Sequence, residues 1–219
     1  MRHALIHSLL ALTLGLACDT NVDSGYAGEP LISLSGEVLP ATPSIGGVEV
    51  VLAWQRFATD GDYLAADAVA VDGDFPATFN LDVYVPPADA ALNHFDAGDG
   101  GVALGVILAV PVGTDLDTLN AEMLDGGTLI GVVERHVLAY APADISADSA
   151  LGAFLGGAMT TGFHLMERTP ASPAELAEYE ACAQDGGDCE YPFDRLSPAF
   201  GETALKLKLG DSLDVPNFT

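Results

Sequence analysis

Ile32-Ser-Leu-Ser-Gly-Glu-Val38, followed across a short link by Val48-Glu-Val-Val-Leu-Ala-Trp54, decides what kind of fold this chain can adopt. In the first stretch Ile32, Leu34, Gly36 and Val38 alternate with Ser33, Ser35 and Glu37. In the second, Val48, Val50, Leu52 and Trp54 fall on one side, with Glu49, Val51 and Ala53 on the other. A period of two places successive side chains on opposite faces of a strand, so both stretches read as strands. The link between them runs from Pro40 through a second proline, Pro43, to Gly46-Gly47, which is turn chemistry.

The same reading extends in both directions along the chain. Tyr63 to Val71 predicts a third strand, between the turns Asp60-Gly61-Asp62 and Asp72-Gly73-Asp74. Phe79, Leu81, Val83 and Val85 alternate with Asn80, Asp82 and Tyr84 until Pro86-Pro87 stops the strand. Apolar strands are expected over Val102–Val110 and Leu129–Tyr140, with a short helix from Asp115 to Leu124 between them. Thr160 to Arg168 reads as a further strand. Ser172, Pro173 and Glu175 supply a cap, a first-turn proline and a capping-box carboxylate for a helix running towards Cys182. Leu205, Leu207 and Leu209 alternate with Lys206 and Lys208 in a closing strand, whose lysines are placed to neutralise acidic neighbours across the sheet. Many short strands separated by turns predict a mainly β fold. The expected form is an antiparallel β-sandwich with a few short inserted helices.

Residues 1–17 read as a signal peptide. Arg2 is followed by a largely apolar run from Ala4 to Leu16, too short to span a bilayer, which takes roughly 20 apolar residues. Residues 18–29 are small and polar and read as a tether; 30–219 form a single acidic β-rich domain. Across 219 residues, 7 Lys and Arg face 32 Asp and Glu, a net charge of −25 at pH 7. That balance argues against nucleic acid as a partner, because binding it requires clustered Lys and Arg. An apolar content of 49% argues equally against a disordered chain.

The three cysteines divide by position. Cys182 and Cys189 flank Ala-Gln-Asp-Gly-Gly-Asp, and the glycine pair lets the chain reverse. The spacing favours a local disulfide over a metal site, for which no third or fourth Cys or His lies nearby. Cys18 is then left without a partner in its own chain. Gly15-Leu16-Ala17-Cys18 resembles the lipobox of bacterial lipoproteins, although that family prefers an aliphatic residue where Gly15 stands. The resemblance implies that Cys18 is the lipid attachment point and that the mature protein is exported and anchored in the cell envelope. The first two strands resemble the opening hairpin of immunoglobulin- or transthyretin-like sandwiches. The order of features, with Gly162-Phe163-His164-Leu165 before a short cysteine pair, is similar to uncharacterised predicted lipoproteins of myxobacterial type.

Candidate chemistry is sparse. Gly210-Asp211-Ser212-Leu213 spells the nucleophile motif of the GDSL esterases, but its position near the end of the sequence leaves no downstream histidine to activate Ser212, so it reads as a turn. His94, His136 and His164 stand apart in sequence, with Glu134 and Glu167 near the latter two. Asp60, Asp62, Asp72 and Asp74 are weak calcium candidates, as hard oxygen donors in glycine turns. No catalytic residue is assigned and no cofactor is expected beyond this weak calcium. The expected role is a structural or binding module, with an envelope protein as a possible partner. The alternative is an envelope hydrolase or metal-dependent enzyme, and it requires the histidines and acidic residues to converge in one pocket.

Overall fold

The computed structural model describes residues 28–40, 46–57, 63–95, 100–119, 129–184, 189, 192–199, 204–210, 213 and 215–216. The leader, Cys18 and most of the tether lie outside the described residues. The chain is mainly β, as its alternation predicts. Among the described residues, ten strands form one mixed sheet: β1 (Ile32–Val38), β2 (Val48–Gln55), β3 (Tyr63–Val71), β4 (Ala77–Val83), β5 (Ala103–Pro111), β6 (Gly131–Val132), β7 (His136–Ala141), β8 (Gly162–Thr169), β9 (Arg195–Pro198) and β10 (Leu205–Leu209). Two α-helices accompany them among the described residues, α1 (Ala150–Phe154) and α2 (Pro173–Gln184).

β2 and β5 form the middle of the molecule. They pair antiparallel along their whole length, from Val48 opposite Pro111 to Gln55 opposite Leu104. Both are buried on both faces, which is why their sequences are nearly continuous apolar runs rather than clean alternations. On one face Val48, Val50, Leu52 and Trp54 share a core with Ile107 and with Leu34, Val38, Phe79, Leu81, Leu205 and Leu207 from β1, β4 and β10. On the other, Val51 and Ala53 join Leu104, Val106 and Leu108 beneath Leu151, Leu155 and Met159. The segment carrying these last three was not anticipated as a structural element. Ser149 caps α1 there by accepting from the Gly152 N–H at 2.9 Å.

Three expectations are corrected. The ladders join into one mixed sheet in which β1 runs parallel to β10, from Gly36 opposite Leu205 to Val38 opposite Leu207. Alternation within a strand carries no information about the direction of its neighbour, so the reading of a mainly antiparallel fold had no means of detecting this pair. The helix expected over Asp115–Leu124 is, in its described part, a 3₁₀ turn at Leu116–Thr118 capped by Asp115. The strand expected over Leu129–Tyr140 is broken between β6 and β7.

Tyr63 is buried in the core that holds Val51, Leu104 and Leu151, and burial pushes its phenol from an ordinary 10.0 up to about 12. The unfolded chain therefore gives up this proton first as pH rises. Folding loses stability from pH 10 upwards, by about 3 kcal/mol once the folded-state value is passed. Phenolate absorbance should show one tyrosine titrating near 12 while the fold persists. Titration of every tyrosine near 10 with the sheet intact would refute this placement.

α2 carries no buried residue. The capping box expected at its start is present: the Ser172 N–H donates to Glu175 Oε2 at 2.8 Å, and the Glu175 N–H donates to Ser172 Oγ at 3.2 Å. Glu175 also bridges to Arg195 on β9. At the far end Cys182 and Cys189 form the expected disulfide, with Cα atoms 6.0 Å apart. Loop closure on this scale is worth about 2.5 kcal/mol. Since the helix buries nothing, replacing both cysteines by Ser should act locally. Amide exchange in α2 is expected to accelerate while β2 and β5 keep their protection. Loss of protection in all three together would contradict this.

Candidate functional site

The break between β6 and β7 builds the site. Val132 lies opposite Leu108 and Leu138 opposite Gly105, so six steps along one strand match three along β5. The surplus residues around Val133-Glu134-Arg135 bulge from the ladder, and the sheet forks there. β6 pairs onward with β10, and β7 with β8. Bulges re-aim side chains that would otherwise alternate, and here the bulge turns Glu134 and Arg135 towards the fork.

His136 opens β7 directly opposite Glu167 of β8. On the other arm, Lys206 and Lys208 project from β10, with Glu37 of β1 in register beside Lys206. The fork holds a cleft of about 380 Å3 lined by Leu39, Glu134, Arg135, His136, Glu167, Lys206 and Lys208. Three of the seven Lys and Arg of this strongly acidic chain thus line one cleft. Two roomier hollows, over β1–β4–β10 and between α1 and β9, lack such a convergence of cations.

Each cation is paired. Arg135 Nη2 lies 2.9 Å from Glu167 Oε1, Lys208 Nζ lies 2.8 Å from Glu134 Oε1, and Lys206 bridges to Glu37. In every pair the cation is the more exposed member: side-chain exposures are 75% against 43%, 48% against 26%, and 59% against 34%. The cations thus present a larger share of their side chains to solvent than the carboxylates do. Exposed pairs of this kind contribute roughly 0.2–1 kcal/mol each, so the rim cations are held loosely. Half-burial holds the His136 imidazole below its ordinary value, with Glu167 opposing that shift and Arg135 adding to it. Near neutral pH the cleft therefore presents a neutral ring among balanced ion pairs.

A buried ion pair beneath the cleft holds the bulge in place. Arg168 Nε donates to Asp194 Oδ2 at 2.5 Å, with side-chain exposures of 2% and 6%. Its Nη1 donates to the Glu134 carbonyl at 3.0 Å, and its main-chain N–H donates to the Arg135 carbonyl at 2.8 Å.

The sequence candidates fare unevenly. His136 lies in the cleft, with Glu134 and Glu167 beside it. His164 lies further along β8 opposite Ala139 and bonds the Thr160 carbonyl at 2.7 Å. His94 rests against Gly101, a glycine at φ +70° where a Cβ would lie 2.7 Å from the ring's Cε1. The three histidines therefore do not converge. Asp72 and Asp74 flank Gly73 in the β3–β4 turn; Asp60, Asp62 and Ser212 lie outside the described residues. Among the described residues, no group of three or more His, Cys, Asp or Glu side chains is arranged to hold a metal ion. Nor is any helix among them long and apolar enough to cross a membrane.

Sequence reading missed Glu37, Arg135 and the Arg168–Asp194 pair. A usable signal was present: Glu134-Arg135-His136 places three polar residues in succession inside an apolar run, which neither face of a strand accommodates. No protein-family model, no curated protein and no solved structure matches this chain.

Proposed function

We propose that the chain is an exported, lipid-anchored binding module of the cell envelope, with the cleft at the sheet fork as its binding site. The observation that carries this is the pairing of Cys182 with Cys189. Of three cysteines it leaves Cys18, directly after a leader-like apolar run, without a partner in the chain, as lipid attachment would require. The separation of the three histidines favours a module over the enzymatic alternative, which needs a nucleophile or metal served by converging groups. Ion pairs around a solvent-facing cleft suit recognition.

Intact mass of the exported chain tests the anchor. The chain is expected to begin at Cys18 with a diacylglyceryl addition, and Cys18→Ser should remove both the added mass and the association with membranes. An unmodified Cys18, or a chain beginning elsewhere, would overturn the lipoprotein reading.

A further inference from the structure

We infer that the cleft between β6, β7, β8 and β10 binds a small multivalent oxyanion, a polycarboxylate or phosphate-bearing molecule, through Arg135, Lys206 and Lys208. The inference rests on the binding-module reading of the cleft, but not on the lipid anchor.

Three observations support it. First, the arrangement runs against the composition of the chain, because three of its seven Lys and Arg meet in one place on a molecule of net charge −25. Ion-pair stabilisation of a surface does not require such concentration. Second, the cation is the more exposed member of all three pairs, so a ligand arriving from solvent finds the positive groups accessible. The repulsion of the distant acidic surface is screened beyond about 8 Å at physiological ionic strength, whereas contacts inside the cleft are not. Third, the donors differ in kind. Arg135 offers a planar fork suited to a carboxylate or phosphate, and the two lysines supply mobile point charges.

The existing pairs set the valence of the ligand. A singly charged anion that draws one cation from its glutamate exchanges one weak pair for another. An anion with two or three charged oxygens has the advantage of multivalency: once one oxygen is held, the others meet the neighbouring cations as intramolecular contacts, and the loosely held rim can rearrange to meet them. A cleft of about 380 Å3 accepts a molecule of this size. His136 forms part of its wall, among Glu134, Glu167, Arg135, Lys206 and Lys208, and provides an internal reporter. A multivalent anion beside the imidazole favours its protonated form.

The test follows the His136 ring protons by NMR through a pH titration of the full chain. Citrate, inorganic phosphate and chloride are compared at constant ionic strength. Citrate or phosphate should raise the midpoint of His136 saturably, by about one pH unit, while neither anion perturbs the ring signals of His94 and His164. Response to citrate alone identifies a polycarboxylate site, and response to phosphate alone a phosphate site. Arg135→Gln combined with Lys206→Gln should abolish the shift. Arg195→Gln, which removes a cation bridged to Glu175 away from the cleft, should leave it intact. A His136 midpoint indifferent to both anions, or an equal shift in the double variant, overturns the proposal. A Cys18→Ser chain should respond like the wild type, so failure of the anchor and failure of the site are read separately.

Discussion

Replacement of Arg168 by Met is expected to destabilise the fold by about 3–5 kcal/mol, because it leaves the Asp194 carboxylate buried without its countercharge. Both side chains are almost wholly removed from solvent. The guanidinium also joins separate parts of the chain: Asp194 ahead of β9, the Glu134 carbonyl in the bulge, and the Val215 carbonyl at 3.5 Å. Asp194 in turn accepts from the Ala171 N–H at 3.2 Å, fixing the approach to α2. Lys at position 168 should do little better than Met, since a single ammonium cannot donate in several fixed directions.

A double-mutant cycle in urea separates the pair from the rest of the network. Arg168→Met with Asp194→Leu removes both charges and should cost clearly less than the sum of the single changes, by a coupling of at least 1 kcal/mol. Additive costs would show that the ion pair as such does not hold these segments. Arg168 is also a positioning residue for the cleft, through the carbonyls of Glu134 and Arg135. The double variant should therefore fold yet respond less to citrate than the wild type, an effect that a purely stabilising role would not produce.

What could be read from the sequence follows from the range of each interaction. β3 was expected from Tyr63 to Val71 and has those bounds. The Ser172–Glu175 capping box and the Cys182–Cys189 disulfide depend on residues a few positions apart, and both were legible. The parallel pairing of β1 with β10 joins Glu37 to Lys206 across 169 positions. Only the folded sheet puts those two in contact. The cleft has the same character. Lys206 and Lys208 were expected to neutralise acids across the sheet, and they do so with Glu37 and Glu134. That these pairs converge with Arg135–Glu167 depends on the fork in the sheet, and the fork depends on three surplus residues that alternation cannot count. The double burial of β2 and β5 was partly visible, since Val51, Ala53 and the run through Val102–Val110 gave no polar face.

Gly36→Ala is expected to cost about 3 kcal/mol, near the upper end of what one added methyl group does in a packed core. Gly36 sits in the middle of β1, opposite Phe79 on β4 and Leu205 on β10. A Cβ there would lie 2.5 Å from Phe79 Cζ and 2.7 Å from the Leu205 carbonyl oxygen. The ring can move only at the expense of its packing in the core it shares with Leu81, Val38 and Leu207. The carbonyl can move only if β1 and β10 separate. Phe79→Leu shortens the side chain and carries a large-to-small cost of its own, smaller than the roughly 3–5 kcal/mol of a buried Phe→Ala. It should relieve the first clash and leave the second. The double variant should therefore lose clearly less than the sum of the two single changes, and additive losses would show that the ring is not what excludes a side chain at this position. The unrelieved clash also bears on binding. Glu37 follows Gly36 directly and holds Lys206 at the rim of the cleft. Displacement of β1 from β10 should therefore weaken the citrate response of His136 even where Phe79→Leu has relieved the clash with the ring.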